Sequence, residues 1–236
     1  MKKKYIVPIV AVVVVLIGIG GYTLFGNFTG NNVKIDSVLD QTEEVSTSDS
    51  SSTDSSGASI AVEEINGDWD IASDSKVYWS VTTSQETVNF VDEEVTGTWR
   101  VDVNNPTTMT GEGTVDLNAL DSGNSQRDSH VKEGAEYLNI SEHPEATFVT
   151  TTFSELPADW TEGSVVPLTI EGTLTIKGME KEVQFESEAM YKGGQLLLSG
   201  NTVVTFADFG MENPHSVVMD TENDLTIQLE LVLEKV

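Results

Sequence analysis

Leu168-Thr169-Ile170-Glu171-Gly172-Thr173-Leu174-Thr175-Ile176-Lys177-Gly178 alternates apolar and polar side chains over nine residues and then breaks at Lys-Gly. Period-two alternation is the signature of a strand with one dry and one wet face. The same pattern recurs outward in both directions. Val77, Trp79 and Val81 alternate with Tyr78 and Ser80, and Val183, Phe185 and Ala189 with Gln184, Glu186 and Glu188. Leu225, Ile227, Leu229, Leu231 and Leu233 alternate with Thr226, Gln228, Glu230 and Glu234. Strands in series, each with a wet face, favour an antiparallel sheet. Turn signals at Asn104-Asn105-Pro106, Lys177-Gly178 and Lys192-Gly193-Gly194 separate them.

Strands are expected near 67–73, 75–83, 94–103, 109–119, 146–155, 164–177, 181–192, 195–206 and 223–235. Long strands with one dry face must close or stack to hide that face and their edges. The fold class is therefore all-β, an extended antiparallel barrel of about eight strands. One short helix is expected from Arg127 to Leu138, capped by Asp128 or Ser129. Glycines share the dry face, in Val95-x-Gly97-x-Trp99 and in Ile170-x-Gly172-x-Leu174. Glycine in a strand marks a bend or room for a ligand. A barrel of this size is filled by side chains or holds one small ligand. The residues alone leave both interiors open.

Residues 60–236 are assigned to this barrel domain. Upstream, residues 1–25 carry Lys2, Lys3 and Lys4 followed by an uncharged apolar run from Tyr5 to about Leu24. Some 20 residues of helix span a bilayer core, and the lysines place the N-terminus inside. The segment is read as a retained single-pass anchor at the cell membrane, with the remainder outside the cytoplasm. A cleaved signal peptide and a secreted product are the alternative; no clear small-residue cleavage site follows the run. Residues 26–59 read as a disordered spacer, with eight serines between Ser46 and Ser59. Within it Val33, Ile35, Val38 and Leu39 form a more apolar patch that is open to docking.

With 39 acidic against 12 basic residues the chain carries a net charge of −27. Such a surface repels phosphates, which excludes nucleic-acid binding. There is no cysteine, hence no disulfide, thiol chemistry or lipoprotein anchor. His130, His143 and His215 lack a metal-ligand spacing, and Asp92-Glu93-Glu94 reads as a solvated turn. No serine elbow and no phosphate-binding loop is present. No catalytic residue, metal or cofactor is assigned, and the protein is expected not to be an enzyme. Arg127 and Asp128 stand out in an arginine-poor chain; they read as an ion pair that caps the helix, or as residues of a barrel mouth.

Gln126-Arg127-Asp128-Ser129-His130-Val131, followed by Tyr137-Leu138 and His143-Pro144-Glu145-Ala146-Thr147-Phe148, resembles the YceI-like family. Gly67-Asp68-Trp69-Asp70-Ile71, Val95 to Trp99, Ile170 to Gly178 and Ala207-Asp208-Phe209-Gly210 are similar to further family segments in the same order. Asp74-Ser75 departs from the His-Ser of many members. The resemblance implies a lipocalin-like barrel whose apolar tunnel binds an isoprenoid chain, a quinone tail or polyprenyl lipid, for storage or transport. Under it, Trp79, Trp99, Phe148, Leu168, Ile170, Leu174, Phe185 and Leu229 are the expected ligand-binding residues. Arg127, Asp128 and His130 are tunnel-mouth or scaffold residues. The competing reading is a solid-core stress or adhesion module on a stalk, binding cations or a protein partner through its acidic surface. A homodimer is open under either.

Overall fold

A computed structural model describes residues 30–40, 58–214 and 220–236. The apolar N-terminal segment and the serine-rich stretch lie outside the described residues, as does His215. Among the described residues no helix is long and apolar enough to cross a membrane.

The described residues form twelve strands: β1 (Ser59–Ile60), β2 (Gly67–Ile71), β3 (Lys76–Thr83), β4 (Thr87–Asp92), β5 (Val95–Val101), β6 (Thr110–Asp116), β7 (Glu145–Phe153), β8 (Trp160–Thr161), β9 (Val165–Ile176), β10 (Met179–Lys192), β11 (Gln195–Thr205) and β12 (Thr221–Lys235). β1 and β8 form a separate two-stranded piece. Eight of the others close an antiparallel ring in the order β2-β5-β6-β7-β9-β10-β11-β12 and back to β2. β12 is the shared stave. One edge pairs with β11 from Asp224 to Glu234. The other is divided, with β2 on Leu233 to Lys235 and β3 on Thr221 to Glu230. β3 carries β4 outside the ring. The expected antiparallel barrel is therefore present, with two strands added.

Alternation sets the interior. Leu225, Ile227, Leu229, Leu231 and Leu233 of β12 all point inward and are buried, as are Leu168, Ile170, Leu174 and Ile176 of β9. The Lys177-Gly178 turn between β9 and β10 has left-handed φ values of 53° and 71°, the geometry that matches the twist of a two-residue hairpin. Near the end of β11, Thr205 and Asp208 form a reciprocal capping box on the turn Phe206–Phe209, and Lys181 Nζ lies 2.6 Å from Asp208. Together these bonds hold the Asp208 carboxyl well below its usual range, at about 2, with the lysine as the largest cause.

Several expectations are corrected. The helix runs from Ser125 to Glu133, short of Leu138, and its N-cap is Asn124, whose side chain accepts from the Gln126 and Arg127 amides. Asp128 lies in its first turn. Asp92 is no solvated turn residue; it ends β4 and is fully buried. Glu230, placed on a wet face by alternation, is also fully buried.

Residues 30–40 explain that burial, and here the spacer expectation is corrected too. This strap crosses the outside of the barrel from β4 towards β10. Asn89 on β4 donates through its side chain to Val33 O at 3.0 Å, and the Asp36 amide donates to the Tyr78 hydroxyl on β3 at 3.3 Å. The Val38 amide donates to Glu230 Oε2 on β12 at 2.8 Å. Val38 and Leu39 then pack with Met190, Leu197 and Val232, forming a small apolar cluster outside the barrel core. Burying such side chains contributes about 1.5–3 kcal/mol each at full burial.

Candidate functional site: the barrel interior

The interior holds a cavity walled by Ile71, Val77, Trp79, Val95, Trp99, Val115, Phe148, Leu174, Phe185, Ile227, Leu229 and Leu231, among others. Its lining is almost wholly apolar. Two edge-to-face aromatic contacts shape it: Phe148 on Phe185 at 5.0 Å between centroids, and Trp99 on Phe153 at 5.9 Å. The cavity is narrow. Its volume is ≈ 40 Å³, room for only a few waters at about 10–15 Å³ each. A long chain therefore enters only if the aromatic side chains swing aside.

Of the residues expected to line a tunnel, Trp79, Trp99, Phe148, Leu174, Phe185 and Leu229 border this cavity. Leu168 and Ile170 face the same core but do not border it. The sequence reading missed Val77, Val95, Val115, Ile227 and Leu231, which share the alternation and could have been found from it.

The dry-face glycines do not make the room assigned to them. A side chain at Gly172 would meet the Phe148 ring at 2.6 Å and Val149 O at 2.5 Å. One at Gly97 would strike Glu112 O. These positions let an aromatic ring and a neighbouring strand approach closely. Gly113 does border the cavity.

None of Arg127, Asp128 and His130 lines it. Arg127 is buried and donates from Nη1 and Nη2 to Gly30 O, from Nε to Ser122 Oγ and from Nη2 to Ser122 O. Asp128 accepts from the Ser122 amide at 3.0 Å and from its hydroxyl, while burial pushes its carboxyl up. The two residues thus do not form the expected ion pair; each ties the Ser122 turn, and Arg127 adds the strap. His130 is exposed on the outer side of the helix, edge-on to Tyr137 at 5.0 Å. Among the described residues no group of three or more acidic or histidine side chains is arranged to hold a metal.

Among the described residues four buried side-chain atoms on inward positions lack a hydrogen-bond partner: Trp79 Nε1, Trp99 Nε1, Asp92 Oδ2 and Ser187 Oγ. Asp92 is held near 7, chiefly by burial.

A closed antiparallel barrel around an apolar cavity defines a lipocalin-like barrel. Residues 69–233 match the YceI-like domain, and the chain belongs to the YceI-like family. It is 33% identical over 97 residues to protein YceI of Salmonella arizonae, an alignment covering 41% of this chain and 46% of that protein; the chain thus spans about half the length of the curated relative. Solved structures share the fold. BcnA of Burkholderia cenocepacia superposes with a TM-score of 0.57 at 19% identity, over 67% of this chain and 95% of its own. A polyisoprenoid-binding domain from Saccharophagus degradans gives 0.57 at 11% identity, over 71% and 98%.

Proposed function

We propose that the barrel binds the chain of an isoprenoid-type lipid, a quinone tail or polyprenyl lipid, in its interior and stores or carries it without catalysis. The observation that carries this reading is the apolar cavity inside a closed barrel, in a family with a polyisoprenoid-binding structural neighbour. Burial of apolar surface is favourable by roughly 25 cal/mol per Å², so a long chain supplies affinity without many polar contacts. Selectivity then falls to bore length and a few polar groups. Opening the slot requires movement of Trp79, Trp99 and Phe148, which are its ligand-responsive walls.

The apolar segment before the barrel supports an extracytoplasmic placement close to the membrane that supplies the lipid. Lipid extraction and mass spectrometry of the protein purified from its own host test the binding reading. Recovery of an isoprenoid is expected; recovery of none, with no uptake of added polyprenyl lipid, sinks it. The N-terminal residue of the mature chain tests the anchor. A start after Gly21 identifies a removed signal peptide, and an intact start in the membrane fraction an anchor.

A further inference from the structure

The cavity is apolar in area, yet two residues that border it, Trp79 and Trp99, carry an unpartnered indole N–H, and among the described residues Asp92 Oδ2 and Ser187 Oγ on inward rows lack a partner too. A buried polar group without a partner costs about 1–3 kcal/mol, and such groups are rare enough in folded proteins that each calls for a cause. A bare hydrocarbon guest would leave both indole N–H groups unsatisfied.

Two of the four sit on one wall. Val77 of β3 pairs with Asp92 of β4, and Trp79 pairs with Phe90. Directly paired residues on antiparallel strands project to the same face, and diagonal neighbours lie about 7–8 Å apart. Val77 and Trp79 border the cavity and Asp92 does not; it shares their face of the sheet, one strand further along the same wall. Its side chain is fully buried. Oδ1 accepts from the Glu94 amide at 3.1 Å, whereas Oδ2 has no partner. Lys76, which pairs with Glu230 across the strands, sends its ammonium to Glu93 at 2.7 Å and does not neutralise Asp92. A carboxyl is an unsuitable core filler here, since leucine or valine would complete the Val88, Phe90 row.

We propose that Asp92, together with the Trp79 indole N–H, receives the oxygen-bearing end of an otherwise apolar ligand, so that the added β3–β4 wall selects a polar-headed isoprenoid over a bare hydrocarbon. Trp79 donates to the oxygen. Asp92 Oδ2 accepts from a hydroxyl on that end, or donates to its oxygen when protonated. This rests on the binding reading proposed above and adds to it the chemistry of the ligand's end.

The test uses the full-length chain in detergent micelles, offered an equal mixture of phytol and phytane, an isoprenoid alcohol and its matching alkane. The protein is repurified and the retained ratio read by gas chromatography and mass spectrometry. Comparing variants with the parent cancels partition into the micelle. Asp92→Leu is expected to lower the phytol-to-phytane ratio about tenfold, the scale of one lost buried hydrogen bond, while phytane is retained. Trp79→Phe, which removes the N–H and keeps the ring, is expected to lower it severalfold and decides the matter if Asp92→Leu does not fold. A ratio within twofold of the parent in the folded variants overturns the proposal and leaves lipid binding standing. Recovery of neither compound above a protein-free blank overturns both.

Discussion

The Arg127 guanidinium donates two hydrogen bonds to the carbonyl of Gly30, at 3.1 and 3.0 Å, across 97 residues of sequence. Glu86 completes the clasp from the other side, accepting the Gly30 amide at 2.6 Å and the Asn31 amide at 3.1 Å. A basic and an acidic side chain thus grip one peptide at the start of the strap.

Arg127→Ala removes both bonds and the two to Ser122. Hydrogen bonds from charged donors contribute about 1.5–3 kcal/mol, so a loss of ~2 kcal/mol in urea unfolding is expected, with faster amide exchange over residues 30–40. Arg127→Lys is expected to restore little of it, because an ammonium cannot span the fork. Unchanged exchange in the strap would show that the clasp does not hold it.

Glu230 is the second fastening. It accepts from the Val38 amide at 2.8 Å and the Ser37 hydroxyl at 3.2 Å on the strap, and from Ser199 at 2.7 Å on β11. Glu230→Ala strands these donors and is expected to destabilise by about 2–3 kcal/mol. Combined with Arg127→Ala, the losses are expected to sum to less than their total, since either change frees the same strap. Strict additivity in the double-mutant cycle would refute a shared element.

Two carboxyls give stability opposite slopes with pH. Asp92 titrates near 7 in the folded state against 3.8 when free, so the folded form binds the extra proton. Its contribution is fully present below pH 4 and is lost as pH rises through 7. Burial is the largest cause of the upward shift; the hydrogen bond from the Glu94 amide and the charge of Lys132 oppose it, while the carboxylates of Asp116 and Glu94 strengthen it. Asp208, held at about 2, contributes above pH 4 and loses that as pH falls towards 2. Asp92→Asn is expected to flatten the stability decline between about pH 4 and 7, and Asp208→Asn the one below pH 4. Thermal melts across pH 2–9 read both; a parallel curve for Asp92→Asn would mean that its carboxyl is not the group responsible.

Gly172→Ala tests how the cavity wall is set. The new methyl meets Val149 O and the Phe148 ring at under 3 Å, and such overpacking costs about 1–3 kcal/mol. The ring has one soft direction to yield, towards the cavity it borders. Lower stability together with weaker uptake of a polyprenyl lipid is expected; a variant as stable as the parent would show that the strands part more easily than the contact suggests.

Alternation made the barrel legible in the sequence, because one face of each long strand is dry and the register is thereby set. β4 was not legible. Both of its faces are covered and both carry polar residues, Asn89 under the strap where the pattern expects solvent and Asp92 in the inward row where it expects an apolar side chain. The strap had a sign in the sequence: Leu196-Leu197-Leu198 and Leu231-Val232-Leu233 are apolar on both faces, which a wet outer face does not require. What they pack against could not be deduced, since the partner lies about 150 residues or more away in the chain. At the cavity, Trp79 and Trp99 were visible as inward aromatics. Leu168 and Ile170 could not be separated from them, because alternation assigns a face and says nothing of height along the bore.

The division of β12 between β2 and β3 has a consequence for the wall of the bore. Beside β12 the neighbouring strand changes along its length, β2 at Leu233 to Lys235 and β3 at Thr221 to Glu230. The lining changes with it, Ile71 at one height and Val77 with Trp79 at another. The two directions along the bore are therefore not equivalent, and a thread-like guest would meet a different surface in each.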